Sequence, residues 1–221
     1  MKKSAQPKKR IVIVDDHPMM REGLAQLIEH EADLLVDAQA ESAAQALRTI
    51  EKSVPDLLLV DISLPDKGGL ELIKDVNTLH PTLPILVISM HDEALYAERV
   101  LRAGGRGYIM KQEGGMKLMQ AIRQVISGRI YVSEKISAKI LETFSGHRTD
   151  SQSPVEQLSD REFEVFQLLG QGRGTRDIAD HLHISIKTVE VHRANIRKKL
   201  DLGSGGELVR YAIRWNEAQQ P

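Results

Sequence analysis

From residue 10 to about residue 127 the chain alternates five short apolar runs with five amphipathic stretches, and that alternation leaves few folds open. Ile11-Val12-Ile13-Val14 and Leu57-Leu58-Leu59-Val60 have the length, branching and bounds of buried strands, and each is followed by a helical pattern. Strands are predicted near 11–15, 34–38, 57–61, 85–89 and 106–110, in a five-stranded parallel sheet. The helices between them carry one apolar stripe each: Met20, Leu24, Leu27 and Ile28 in the first, Met119, Ile122 and Ile126 in the fifth. These methionines read as core packing.

In an open α/β sheet the carboxyl ends of the strands form the ligand crevice. Three signatures lie at such ends: Asp15-Asp16 after the first run, Asp61 after the third, and Lys111 after Gly107-Tyr108-Ile109-Met110. Clustered carboxylates repel, so three together call for a hard cation, most naturally Mg²⁺, while Lys111 adds a point charge. A lone acid at a strand end is a solvated loop residue or a helix cap, and a lone lysine is surface. Four such residues converging on one edge are equipment for a phosphoryl group. His17, between Asp16 and Pro18, has two readings: it tunes the metal site, or it packs at the helix start.

The 221 residues suit one large or two ordinary domains. With no cysteine there is no disulfide, thiol nucleophile or thiolate metal site. The apolar runs are strand-sized, and the basic stretch Met1 to Arg10 lacks an apolar core, so a cytoplasmic protein with no membrane partner is expected. A net charge of −1 conceals a basic segment near the C-terminus.

The expected layout is a basic tail (1–9), the α/β domain (10–127), a linker (128–157) and a small all-α domain (158–217). Ser133 to Phe144 reads as a connecting helix, and Gly146 to Pro154 as a polar, mobile turn region holding the domain boundary. Ser159-Asp160-Arg161-Glu162 then forms a capping box with Leu158 and Phe163 as its staple, ahead of a core stripe of Val165, Phe166 and Leu169. Thr175 is placed as the cap of a second helix bearing Ile178, Ala179 and Leu182, and Ser185 as the cap of a third bearing Val189, Ile196 and Leu200. Only His183-Ile184 separates them, which suggests a helix-turn-helix. Ser204-Gly205-Gly206-Glu207 opens a fourth helix ending near Trp215.

The third helix has two faces. Val189, His192, Ile196 and Leu200 share one stripe, which makes His192 a packing or phosphate-contacting residue; Lys187, Glu190, Val191, Ala194 and Lys198 lie opposite. Val191 and Ala194 suit thymine methyls, and Glu190 suits a cytosine amine. From Lys187 to Lys199 five basic residues (Lys187, Arg193, Arg197, Lys198, Lys199) oppose one acid, Glu190, so phosphate attraction should dominate affinity.

At this point the first domain resembles the receiver domain of two-component response regulators, on Asp15-Asp16, Asp61-Ile62-Ser63-Leu64-Pro65, Ser89 and Gly107-Tyr108-Ile109-Met110-Lys111. The second resembles the LuxR-type helix-turn-helix, on Leu158 to Glu162, Ile178-Ala179 and Lys187 to Arg193 running to Lys199-Leu200. Together they are similar to the NarL/FixJ family, which implies a doubly wound, flavodoxin-like α/β receiver followed by a small all-α helix-turn-helix domain. The resemblance implies that Asp61 is the phosphoacceptor and that Asp16 and Asp61 bind Mg²⁺, with Asp15 reaching it directly or through water and the Ser63 carbonyl completing the shell. It implies further that Lys111 pairs with the phosphoryl group, that Ser89 hydrogen-bonds to it, and that Tyr108 packs inward when Ser89 moves. Thr175, Lys187, Thr188, Glu190, Val191, His192, Arg193, Ala194, Arg197 and Lys198 are the implied DNA contacts.

Three positions depart from the family pattern: His183 stands at a helix end that favours left-handed backbone, Thr175-Arg176 replaces an Asn-Lys pair, and Gly205-Gly206 loosens the last connection. The implied protein is a transcriptional regulator, not a turnover enzyme, that takes a phosphoryl group from a histidine kinase, loses it slowly by itself and binds double-stranded DNA as a homodimer. The alternative within this architecture is a phosphorylation-independent regulator whose receiver only dimerises. A metal-dependent phosphohydrolase is disfavoured because no Asp-x-Asp follows the first strand, and a dinucleotide enzyme because no Gly-x-Gly-x-x-Gly follows Val14.

Overall fold

The computed structural model describes residues 7–144 and 154–219. Most of the basic tail and of the polar stretch from Gly146 to Pro154 therefore lies outside the described residues. The chain divides into two compact units, with the division at Gly146.

In the first unit the order is β1 (Lys9–Val14), α1 (Pro18–Glu29), β2 (Leu34–Ala40), α2 (Ala43–Lys52), β3 (Leu57–Val60), α3 (Gly69–Leu79), β4 (Ile85–Ser89), α4 (Glu93–Ala103), β5 (Gly107–Met110), α5 (Gly114–Ile126) and α6 (Glu134–Phe144). The strands pair in parallel in the order β2-β1-β3-β4-β5. The chain reverses direction across the sheet at β1, so the crevice opens beyond the ends of β1 and β3. Local chemistry sets the helix starts: Pro18 opens α1, the Ser42 hydroxyl caps α2, and the Asp92 carboxylate caps α4. Asp66, from the loop after β3, accepts from the N–H groups of both Ala43 and Ala44 at 2.9 Å, tying that loop to the start of α2.

One face of the sheet packs Ile11, Ile13, Leu57, Leu59, Leu86, Ile88 and Ile109 against Leu24 and Ile28 of α1 and Leu118, Ile122 and Val125 of α5. Leu27 departs from the expected stripe: it is 46% exposed. It borders Gly115, where even a Cβ would come within 3.2 Å of it.

The connecting segment is bound to this unit. Tyr131 takes the free edge of β5, donating to the Arg106 carbonyl at 3.0 Å and accepting from Tyr108 N–H at 2.8 Å. Gly107 makes room, because a Cβ there would lie 2.9 Å from the Tyr131 oxygen. Ser133 then caps α6, its hydroxyl accepting from Ile136 N–H, and α6 packs on α4. The buried carboxylate of Glu93 accepts from Ser133 N–H at 2.7 Å.

The second unit contains α7 (Asp160–Gly170), α8 (Thr175–His181), α9 (Ile186–Lys199) and α10 (Gly205–Gln219). Ser159 and Glu162 make the expected capping box, and Leu158, Phe163, Val165, Phe166 and Leu169 are buried. Phe163 and Phe166 meet Trp215 edge-on, with ring centroids 5.8 and 5.4 Å apart. The helix α10 runs past Trp215 to Gln219. Ser204 caps α10, but Glu207 reaches back to Gly203 N–H instead of closing a box on Ser204.

Thr175 is not the cap of α8. The cap is Gly174, whose N–H donates to Asp177, and the Thr175 hydroxyl instead accepts from Arg193 of α9. His183 has a φ of +51°, the left-handed turn conformation expected of it, and Ile184 N–H returns to the Ala179 carbonyl at 3.0 Å. Ser185 caps α9, accepting from Thr188 N–H at 3.0 Å.

Candidate functional site

Asp15, Asp61 and Lys111 come together because β1, β3 and β5 all end at the same edge. Asp15 is fully buried and Asp61 is 2% exposed. The Lys111 ammonium, itself 4% exposed, donates to Asp15 Oδ2 at 2.7 Å and to Asp61 Oδ2 at 2.8 Å. The partly exposed Asp16 completes the group, its carboxylate within 4.8 Å of the others. Gly69 permits this arrangement, since a Cβ on it would collide with the Asp61 carbonyl and displace the start of α3.

Burial pushes the Asp61 carboxyl above its ordinary range, Lys111 pulls it back, and Asp15 repels it; the net direction is upward. Burial alone would depress Lys111, but Asp61 and Asp15 hold it above the ordinary lysine value. One ammonium is thus shared by two buried carboxylates. Counting Asp16, three negative charges face one positive, which leaves two negative charges in the pocket. Asp61 Oδ1 and Asp16 Oδ1 are buried with no hydrogen-bond partner. An excess of carboxylate over ammonium charge and two buried oxygens without hydrogen bonds fit a divalent, oxygen-seeking cation.

Beside this cluster, buried Ser89 accepts from His91 N–H at 3.2 Å, and His91 Nε2 lies 3.2 Å from the Ser63 hydroxyl. Tyr108 is packed inward, and its phenol, pushed up by burial, donates a hydrogen bond to the His91 carbonyl at 2.8 Å. The sequence reading missed His91. Its only signal is its position two residues after Ser89, and nothing in that position shows that its backbone and ring tie Ser63, Ser89 and Tyr108 together.

On α9, Val189 and Ile196 are buried while Lys187, Glu190, Val191, Ala194 and Lys198 are exposed, Val191 by 52%. Thr188, His192 and Arg197 sit at the boundary. Two basic residues have other engagements. Arg193, expected on a phosphate, is held by Thr175 and faces Glu190. Lys199 donates to the buried Glu162 carboxylate at 2.7 Å and braces α9 against α7.

Comparison with known proteins meets this geometry. Residues 11–123 match the response regulator receiver domain and residues 156–212 the bacterial regulatory proteins of the luxR family. The chain belongs to the two-component response regulators. It is 36% identical to the oxygen regulatory protein NreC of Staphylococcus haemolyticus over 210 residues, covering 93% of this chain and 97% of that one. Among solved structures, a LuxR-family response regulator from Aurantimonas sp. SI85-9A1 is 34% identical, covering 62% of this chain and 99% of its own, with a TM-score of 0.58. RcsB of Salmonella enterica serovar Typhimurium, solved on promoter P1flhDC with the phosphomimetic BeF3-, is 26% identical over 93% of this chain and 98% of its own, with a TM-score of 0.64. Response regulators of this kind pair a receiver with a DNA-binding domain of the NarL/FixJ type and are not enzymes in the ordinary sense. No helix among the described residues is long and apolar enough to cross a membrane.

Proposed function

We propose that this response regulator is switched by phosphorylation of Asp61 and acts on promoters in the cytoplasm as a DNA-bound homodimer. The observation that carries the reading is the Lys111 ammonium held between Asp15 and Asp61, with Asp61 Oδ1 left free. A carboxylate in that position is a nucleophile: its oxygen forms the bond to phosphorus as the nitrogen–phosphorus bond of a kinase phosphohistidine breaks, and the histidine leaves with the electron pair. Lys111 follows the charge onto the phosphoryl oxygens, and the Ser89 hydroxyl moves to meet one of them. Asp15, Asp16, Asp61 and the Ser63 carbonyl are the residues that would hold Mg²⁺, which when bound neutralises charge on the transferring group. Slow hydrolysis of the acyl phosphate returns the protein to its resting form.

The exposed face of α9 is read as the DNA face, with Lys187, Arg197 and Lys198 on phosphates and Glu190, Val191 and Ala194 toward base edges. Thr175, Thr188, His192 and Arg193 frame it. RcsB on its promoter, at 26% identity, supports this use of the domain.

The test is intact-mass measurement after incubation with a small phosphodonor and Mg²⁺, with promoter binding followed in parallel. One added phosphoryl group, absent in Asp61→Asn, is expected, together with tighter binding. The alternative within this architecture is a receiver that works as a dimerisation module without phosphorylation. Equal DNA affinity of Asp61→Asn and phosphorylated wild type would select that reading.

A further inference from the structure

The surroundings of His17 separate a packing role at the helix start from a role in the acidic pocket. Its backbone is fixed at the head of α1: the N–H donates to Asp15 Oδ1 at 2.9 Å, and the carbonyl accepts from Arg21 N–H at 3.1 Å. The ring is not packed, being 68% exposed, so it has no core role at the helix start. Its Nδ1 nevertheless turns into the acidic pocket, 2.7 Å from Asp16 Oδ1 and 3.3 Å from Asp15 Oδ1. Asp16 Oδ1 still has no hydrogen-bond partner, so the nitrogen is close to the carboxylate without donating to it. The ligand atoms of Asp15, Asp16, His17 and Asp61 all lie within 4.8 Å of one another. The free Oδ1 of the buried Asp61 points to the same occupant.

We propose that His17 is a nitrogen ligand of this cation site, so that the pocket favours imidazole-seeking transition dications such as Ni²⁺ more than its carboxylates alone would. The physical basis is donor softness. Carboxylate and carbonyl oxygens suit Mg²⁺ and Mn²⁺, whereas imidazole adds little for Mg²⁺ and much for Ni²⁺. An exposed imidazole also pays no desolvation cost to turn onto the metal, and its fixed backbone leaves only side-chain rotation. The inference rests on the acidic pocket being a cation site at all.

Calorimetric titration of the full chain with Mg²⁺, Mn²⁺ and Ni²⁺, for the wild type and His17→Gln, tests it. The expected result is a loss of about tenfold or more in Ni²⁺ affinity with Mg²⁺ affinity changed less than about twofold. Pulsed electron paramagnetic resonance of the Mn²⁺ complex should show a directly bonded nitrogen in the wild type and none in His17→Gln. Parallel changes for all three ions would mean that His17 merely orients Asp16, and would overturn the proposal, as would unchanged Ni²⁺ affinity. If the wild type bound none of the ions, the cation-site reading itself would fall. If it bound Mg²⁺ but showed no nitrogen on Mn²⁺, only the His17 assignment would fall. Because His17 is exposed, its replacement leaves the fold intact, which a thermal melt of each variant checks.

Discussion

Replacing Lys111 and replacing Asp61 should have opposite effects on stability, although both should abolish signalling. Lys111→Met removes the one cation within 2.7 and 2.8 Å of two buried carboxylates. At an effective dielectric of about 20, each contact is worth roughly 5–6 kcal/mol of Coulomb energy. The cost is capped because Asp61, already pushed upward by burial, can take up a proton; stranding one partner of a buried pair typically costs about 3–5 kcal/mol. For a unit of this size that lowers the melting temperature by roughly 10–20 °C. Asp61→Asn does the reverse. It removes the carboxylate that burial and Asp15 disfavour and leaves Lys111 paired with Asp15, so stability should stay level or rise by about 1 kcal/mol. Saturating Mg²⁺ should recover part of the Lys111→Met loss by mass action and do little for Asp61→Asn. Differential scanning calorimetry of the three proteins, with Mg²⁺ and with a chelator, measures all of this. If Asp61→Asn cost more than about 2 kcal/mol, or Lys111→Met less than about 1, the description of an over-charged pocket held by a single ammonium would be wrong.

The helical unit carries its own tests. Burial raises the Glu162 carboxyl, but Lys199 and the Ser159 cap together hold it below its ordinary value, so its contribution is present above the unfolded pKa of about 4.3 and is lost as pH falls through the lower folded value. Glu162→Gln should therefore cost about 1–2 kcal/mol at pH 7 and nearly nothing at the acid end, read by denaturation with the single tryptophan, Trp215, as probe. His183→Gly relieves a left-handed histidine and should stabilise the turn by about 1 kcal/mol in the same assay. For DNA, Lys198→Ala should weaken all sequences and reduce the salt slope by about one, whereas Val191→Ser should shift preference at single positions by roughly 1–3 kcal/mol. Selection from a randomised DNA pool at two salt concentrations separates the two, and identical preferences would remove Val191 from the base-reading face.

The sheet and its acidic edge were legible because buried parallel strands are written as continuous apolar runs, and four charged residues converging at the ends of such runs have few structural uses. The turn at His183 was legible because a helix ends there with two residues to spare before Ser185. What stayed hidden depends on which atoms approach in three dimensions. Thr175 has a capping side chain, but Arg193 from the next helix claims it. Lys199 adds to the charge of α9, yet Glu162 lies within its reach from α7. Leu27 completes a periodic stripe, but periodicity gives no sign that its neighbour is a glycine.

The strand-like pairing of Tyr131 with β5 changes where the receiver ends as an exchangeable part. A cut at residue 127, where the repeating strands and helices stop, would strip the edge of β5, strand the Tyr108 N–H and the Arg106 carbonyl, and leave the Glu93 carboxylate without Ser133. An open edge of that kind invites pairing with other chains. Domain shuffling in this lineage, natural or engineered, therefore has its clean joint after α6, and a hybrid regulator should inherit its connecting helix from the receiver parent and not from the DNA-binding one.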